Sequence, residues 1–349
     1  MEIKRLLITR FSAAGDVAMC APVVKALAET YPDLEIIFLS RKNFSPLFSF
    51  MPKNVRFLGV DLKNDYKGIG GLNRLFSELK ALKIDAYADF HDVLRTKFLR
   101  LRAFFAGVKT SKINKGRGEK KRLTRLGALK SEALKPTVER YKDVLKKLGL
   151  EFELKFSSVF GENLPELPIE IKTLAGEKTS KWVGVAPFAA HEGKILPLET
   201  TEKVVKMLSE KGAKVFLFGF GDKEKSATEK WQNSYANVVS LVGKSGGLMN
   251  ELLLISRLDC MISMDSANMH FASLTATRVV SVWGATHTKA GFLGFNQKED
   301  DAVQIELPCR PCSVYGNKEC RLTEKYKCLR DIQAKQIVEK VFKKYNKNE

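Results

Sequence analysis

Three short segments carry residue types that could act together on a phosphorylated substrate. The first is Phe11-Ser12-Ala13-Ala14-Gly15-Asp16. Its small residues let the backbone approach a ligand closely, and they set Asp16 at the start of a helix. A carboxylate there suits a general base, which must lie within hydrogen-bond reach of the hydroxyl it deprotonates. The same aspartate reads equally well as an N-terminal acid that interacts with the helix dipole. The second segment is Met264-Asp265-Ser266-Ala267-Asn268-Met269-His270, directly after the apolar run from Cys260 to Ser263. A helix opening with an acid, a hydroxyl and a small residue turns free N–H groups outward, which makes an anion site fit for a pyrophosphate. His270, one turn on, is placed to donate to the same phosphate. Asp265 is awkward there unless it accepts a hydrogen bond from a sugar hydroxyl or from nearby amides. The alternative is a capping aspartate with a packed histidine. The third segment, Ala186 to Pro197, is a strand followed by a flexible loop that holds Lys194. An ammonium group here can neutralise charge building on a departing diphosphate, although a lone lysine is more often simply solvated.

These segments must be held by a scaffold, and the hydropathy pattern supplies one. Short apolar runs alternate with amphipathic stretches throughout, as expected of βαβ units around parallel sheets. In the first half, strands are expected at Arg5–Thr9, Glu35–Leu39, Val55–Val60 and Ile84–Phe90, with helices at Val17–Glu29, Gly71–Leu82, Arg95–Phe105 and Pro136–Leu148. Gly107 to Leu134 is polar and basic without a clear period. The run GENLPELP from Gly161 to Pro168 reads as a linker. Beyond it the alternation restarts. Strands are expected at Trp182–Ala186, Ala213–Gly219, Val238–Leu241, Cys260–Met264 and Arg278–Trp283, and helices at Leu198–Glu210, Lys223–Gln232, Met249–Ser256, Ser266–Leu274 and Ile332–Lys344. The expected organisation is an α/β chain with an N-terminal domain over 1–162, a second domain over 163–330 and a C-terminal helix over 331–349 free to pack back on the first domain. Ligands of such sheets bind beyond the carboxyl ends of the strands.

Charge is the most unusual bulk property: 59 Lys and Arg against 40 Asp and Glu give a formal net charge of +19. Such a balance calls for an anionic partner. From Arg95 to Lys130 there are 13 basic residues and a single acid, Glu119. This window reads as a surface for phosphates, carboxylates or anionic lipid headgroups, or as a solvated basic loop. Nothing approaches the roughly 20 apolar residues of a spanning helix, and the apolar run after Lys4 and Arg5 is too short for a signal peptide. Cys20 and Cys260 sit in apolar runs as small hydrophobes. Cys309, Cys312, Cys320 and Cys328 suggest either reduced structural thiols or a structural zinc site; the second pair is spaced too widely for a common zinc ribbon.

Taken together, the three segments resemble glycosyltransferase family 9, the ADP-heptose:lipopolysaccharide heptosyltransferases. The resemblance rests on Gly15-Asp16 after the first strand, on Lys194 before Leu196-Pro197, on Asp265-Ser266-Ala267 with His270, and on the turn Gly284-Ala285-Thr286. It extends to an acceptor segment, Asp89-Phe90-His91-Asp92-Val93-Leu94-Arg95-Thr96, and more weakly to Gly219-Phe220-Gly221-Asp222-Lys223-Glu224. Two departures touch ligand-facing positions: Ala189 and Ala190 stand where hydroxyl residues are usual, and His91 replaces a glutamine. The resemblance implies a GT-B fold, two Rossmann-like doubly wound domains with a central cleft. It also implies a cytoplasmic enzyme, with peripheral attachment to the inner face of the membrane as an option. Asp16 would be the catalytic base, while Lys194, Gly221, Glu224, Asp265, Ser266, Ala267 and His270 would hold an ADP-sugar donor. Ser12, Arg95 and Thr96 would contact an anionic glycolipid acceptor, Kdo-lipid A or the inner core. Transfer would invert the anomeric centre without a required cofactor or metal, since no Asp-x-Asp pair is present. The cysteine tail would be structural.

Two rival readings stand beside this one. A nucleic-acid-binding protein would use the basic 95–130 segment on phosphates, but no RRM, KH or helix-turn-helix signature is present, and nucleic acid is not the expected partner. A dinucleotide-dependent enzyme would suit the Rossmann-like halves, but the first βα turn lacks G-x-G-x-x-G.

Overall fold

The computed structural model describes residues 2–162 and 164–343. Two compact units emerge, each around its own parallel sheet. The first comprises Met1–Gly116 and Lys135–Glu162, and the second Arg117–Leu134 and Asn163–Glu349. The boundary at Glu162 falls in the proline-bearing run expected as a linker. The intervening Arg117–Leu134 segment, by contrast, joins the second unit and divides the basic window between the two.

In the first unit, strands β1 (Arg5–Thr9), β2 (Glu35–Arg41), β3 (Val55–Val60), β4 (Ala86–Asp89) and β5 (Lys109–Lys112) form a sheet in the order β3-β2-β1-β4-β5. All pairs are parallel. The central strand β1 is buried from Leu6 to Thr9, as its unbroken apolar run requires of a strand covered on both faces. Two helices, α1 (Ala14–Ala18) and α2 (Cys20–Thr30), replace the single helix expected over Val17–Glu29. Helices α3 (Gly68–Ala81) and α4 (Leu94–Phe105) follow β3 and β4. In α4, Thr96, Leu99 and Ala103 are buried, a three- and four-residue spacing that turns one face to the sheet. Leu7, Ile37, Leu39, Leu75, Leu79, Tyr87 and Leu99 share one buried cluster, and each fully buried aliphatic side chain of this kind contributes about 1.5–3 kcal/mol.

The basic stretch without a clear period contains β5 and an amphipathic helix, α5 (Arg117–Leu126), whose Lys120 and Leu123 are buried. Lys120 Nζ lies 4.2 Å from the Phe292 ring centroid. Downstream, Lys289 Nζ donates to the carbonyls of Ala128 (2.9 Å) and Ser131 (3.0 Å). These contacts, all within the second unit, fix a segment that composition alone marks only as polar. Helix α6 (Thr137–Lys146) returns the chain to the first unit.

The second unit begins with α7 (Ile169–Ala175) and repeats the plan with β6 (Trp182–Ala186), α8 (Leu198–Glu210), β7 (Lys214–Leu217), α9 (Asp222–Ser234), β8 (Val238–Ser240), α10 (Leu248–Ile255), β9 (Cys260–Met264), α11 (Ala267–Leu274), β10 (Val279–Val282) and β11 (Ala302–Val303). Its sheet order is β11-β10-β9-β6-β7-β8, again parallel throughout. After the short helix α12 (Lys327–Arg330), α13 (Ala334–Phe342) packs on α8 and on β9 and β10. Its buried Ile337, Val338 and Val341 belong to the core of the second unit, so the helix adds to that unit and not to the first. Arg278 fastens it by donating to Lys340 O (2.6 Å) while pairing with Asp301 (2.6 Å). The helix starts two residues later than expected and ends at Phe342, with Lys343 extended, while Lys344 lies outside the described residues.

Candidate active site

At the carboxyl end of β1 the chain passes through Arg10, Phe11 and Ser12 into α1. Asp16 is the third residue of α1, and its Oδ2 accepts a hydrogen bond from Ala13 N (3.2 Å), which closes the helix start. The same oxygen lies 2.7 Å from Arg10 Nη2, in a pair whose side chains are 8% exposed for Arg10 and 27% for Asp16. The guanidinium is thus the sunken member and the carboxylate the accessible one. Burial works against the Arg10 charge, but the neighbouring Tyr141 and Asp16 outweigh it and raise its pKa. Arg10 also donates to Phe90 O (2.7 Å), and Tyr141 Oη donates to Asp16 O (3.2 Å). The carboxylate is therefore held by Ala13 N and Arg10, with Arg10 tied to the loop after β4 and the Asp16 backbone tied to α6.

His91 belongs to the same edge. Its Nδ1 accepts a hydrogen bond from Phe11 N (3.4 Å), and its Nε2 lies 3.5 Å from Ser12 Oγ. Burial first, and then the charges of Arg10 and Lys115, lower its pKa to about 3. The ring is consequently neutral at physiological pH, a polar group that brings no charge to the acid beside it.

The expected acceptor segment is built around a buried carboxylate. Asp89 Oδ1 accepts from His91 N (2.9 Å) and Asp92 N (2.8 Å), while Oδ2 pairs with Arg100 of α4. Arg100 reaches Asp92 as well, at 3.3 Å. Of the three residues expected to contact acceptor, Ser12 is half-buried on the Asp16 loop and Arg95 is exposed at the start of α4. Thr96 is fully buried: its hydroxyl accepts from Val93 N (3.0 Å) and donates to Val93 O (3.1 Å). Its side chain caps α4 and is not presented to a ligand.

On the second unit, Lys194 and Asp265 form an ion pair. Lys194 Nζ stands 2.9 Å from Asp265 Oδ2, with side chains 15% and 5% exposed. The carboxylate at the end of β9, awkward beside a phosphate on sequence grounds, is neutralised by the lysine on the loop after β6. Gly316 supports the lysine stem, because a Cβ there would lie 2.6 Å from Lys194 Cγ, and its φ of +74° is one that L side chains rarely adopt. Ser266 occupies the N-cap position of α11 without a side-chain capping bond, its Oγ 3.3 Å from Ser263 Oγ, and Ala267 is the first helical residue. His270 is buried one turn on. Gly221, with φ +85°, caps α9, and Glu224 Oε2 accepts from Phe220 N (2.7 Å). Partial burial raises the Glu224 pKa. Polar groups from the loops after β6, β7 and β9 thus stand at the carboxyl edge of one sheet, where parallel α/β folds bind ligands.

Two contributors escaped the sequence reading. Arg310, between Cys309 and Cys312, is almost fully buried and donates to the carbonyls of Gly284 (2.5 Å), Trp283 (3.1 Å) and Thr286 (2.9 Å). It holds the turn after β10, and Ala285 N in turn donates to Gly193 O (2.8 Å), beside Lys194. Glu251, near the start of α10, is the other: it accepts from Ser245 Oγ (2.8 Å), and burial raises its pKa. An arginine inside a CxxC spacing and a glutamate early in a helix are legible as residues, but the turn carbonyls that Arg310 holds lie 24 to 27 positions away, and the partner of Glu251 lies in the loop before its own helix. The cysteines themselves are free thiols, and among the described residues no three His, Cys, Asp or Glu side chains converge in a way that would hold a metal. The segment that carries Cys309, Cys312, Cys320 and Cys328 braces the Lys194 loop through Arg310 and Gly316.

Two Rossmann-like units with polar loops gathered at the carboxyl edges define the GT-B class of glycosyltransferases, and comparison with known proteins agrees. The family model for glycosyltransferase family 9 (heptosyltransferase) matches residues 72–323, and the chain belongs to that family. It is 25% identical over 287 residues to lipopolysaccharide heptosyltransferase 3 of Escherichia coli K12, covering 78% of this chain and 80% of that protein. A shorter stretch of 118 residues is 33% identical to the lipopolysaccharide core heptosyltransferase OpsX of Haemophilus influenzae, covering 34% of this chain and only 31% of that protein. Among solved structures, E. coli heptosyltransferase WaaC with ADP superposes with a TM-score of 0.63 at 18% identity, over 84% of this chain and 92% of that one.

Proposed function

We propose that the protein transfers a heptose, or a closely related sugar, from an ADP-sugar to the inner core of a lipopolysaccharide, with inversion at the anomeric carbon. The observation that carries this reading is the opposite polarity of the two ion pairs: the carboxylate is the more accessible member of Arg10–Asp16, and the ammonium group is the more accessible member of Lys194–Asp265. A carboxylate held open beside a fixed cation takes a proton from an acceptor hydroxyl as its oxygen attacks. The Lys194 ammonium group, paired with a more deeply buried acid and next to the N–H groups that start α11, stabilises charge developing on a leaving diphosphate. The ADP in the WaaC structure supports the nucleotide part of the donor.

In this mechanism Asp16 is the base, Arg10 and Tyr141 hold it in place, and Lys194 with Ser266 and Ala267 receives the diphosphate. His270 and Glu224 contribute further donor contacts, the latter toward the nucleoside through the Gly221 turn. Lys194 and the α11 amides can carry the leaving charge, so the reading does without a divalent ion. Ser12 and Arg95 meet the anionic acceptor, and a cytoplasmic location at the membrane's inner face follows from where such an acceptor is made accessible to a nucleotide sugar. The test is transfer from ADP-heptose to a Kdo-bearing lipid A acceptor by wild type and Asp16→Ala. The expected result is transfer by the wild type and a loss of about 10² or more in the variant with donor binding retained; equal turnover by the two would refute the assignment.

A further inference from the structure

The buried face of α4 is accounted for by Thr96, Leu99 and Ala103 and by Arg100 turned to Asp89. Its opposite face is not what a solvated helix presents. Leu94, Leu101, Phe104 and Phe105 are each more than half exposed. Leu94, half-buried Phe98, Leu101 and Phe105 follow one another at four, three and four residues, so they form a single apolar stripe along the whole helix. Phe104 and Phe105 meet edge to face at 5.7 Å and close the stripe with an aromatic pair. Arg95 and Arg102 flank one side, Lys97 the other, and all three are exposed. From Val93 to Gly118 the chain contains no acidic residue.

We propose that this outer face of α4 is a docking surface for an anionic lipid bilayer, lying in the plane of the interface with its apolar stripe among the acyl chains and its cations at the headgroups. An apolar stripe between basic flanks is the arrangement that in-plane membrane helices use, and aromatic rings favour that depth. The helix is far too short to span, and no described helix is long and apolar enough to do so. Charge selects this occupant over a second copy of the chain, since two +19 molecules would bring like-charged flanks together. The surface also stands where it is useful: α4 begins two residues after Asp92, so its first turn leads directly from the loop at the carboxyl edge of β4. Its use in bringing a lipid-borne acceptor to that edge rests on the proposed function, whereas bilayer binding itself does not.

The experiment is flotation of the full chain with vesicles of phosphatidylcholine alone and of phosphatidylcholine with phosphatidylglycerol. The variants are Leu101→Ser with Phe104→Ser and Phe105→Ser, and separately Lys97→Gln, with thermal melting to confirm folding. The expected result is partition of the wild type onto anionic vesicles, weak partition onto neutral ones, and a loss of about ten-fold or more in the triple variant at unchanged melting temperature. Lys97→Gln should lower binding a few-fold and only on anionic vesicles. Equal flotation of wild type and triple variant, no binding to anionic vesicles, or a lipid-independent dimer abolished by the triple variant would each overturn the proposal. Transfer to a delipidated, water-soluble acceptor separates the two claims: the triple variant should match the wild type there, and failure of both to transfer would count against the proposed reaction while leaving the bilayer result standing.

Discussion

The Asp16 edge of the first unit and the Lys194 edge of the second use the same device with the signs exchanged. Each places one charged side chain at a sheet's carboxyl end and sinks its counter-ion: Arg10 is 8% exposed beneath Asp16, and Asp265 is 5% exposed beneath Lys194. What differs is which charge is left accessible, and that difference sorts the chemistry. In the proposed reaction a buried cation organises an acid for proton transfer, whereas a buried acid organises a cation for phosphate. Support differs as well. Arg10 is held by a carbonyl and stacked 5.9 Å from the Tyr141 ring, whereas Lys194 leans on Gly316 from the cysteine segment.

The comparison is tested most severely at Asp16. Asp16→Asn keeps the shape and removes the basic oxygen, so the transfer rate should fall by about 10²–10⁴ in a steady-state assay. A loss below ten-fold would place the base elsewhere. On the other edge, Lys194→Met leaves Asp265 buried without its cation, and chemical denaturation should report a loss of about 3 kcal/mol. Adding Asp265→Asn should restore most of it, and additive losses in the double variant would mean that the pair is not energetically coupled.

His91 sharpens the account through pH. Its pKa is lowered to about 3 in the folded chain, so between that value and the ordinary histidine pKa the unfolded chain binds the extra proton. Stability contributed by neutral His91 is therefore complete above about pH 6.5 and is lost as pH falls toward 3. The expected loss between pH 7 and pH 5 is about 2 kcal/mol, absent in His91→Gln. An unchanged slope in that variant would show that the ring is not the titrating group. The smallest effect belongs to Thr96→Ala: loss of the α4 cap should cost about 1 kcal/mol in stability, with the KM for acceptor unchanged. A raised KM would return Thr96 to the acceptor contacts.

Much of this was legible before folding. Unbroken apolar runs such as Trp182–Ala186 and Cys260–Met264 are strands with the bounds their composition suggests, because a doubly covered parallel strand has no polar face to blur its ends. Asp16, Lys194 and Asp265 announced themselves by following such runs. The remainder depends on neighbours that periodicity does not encode. Arg10 looks like an ordinary charge after a strand until Tyr141, over a hundred residues on, stands beside it. Arg117–Leu134 reads as a basic loop of the first half, but its carbonyls are held by Lys289 of the second. The Thr96 hydroxyl resembles a ligand contact in sequence and is consumed by its own helix start.

The central claim is tested most directly by calorimetric titration of ADP into wild type, Asp16→Asn and Lys194→Gln. ADP should bind the Asp16 variant as it binds the wild type and should bind the Lys194 variant at least ten-fold more weakly. Weakened ADP binding by Asp16→Asn together with unaltered binding by Lys194→Gln would contradict the division of labour between the two ion pairs.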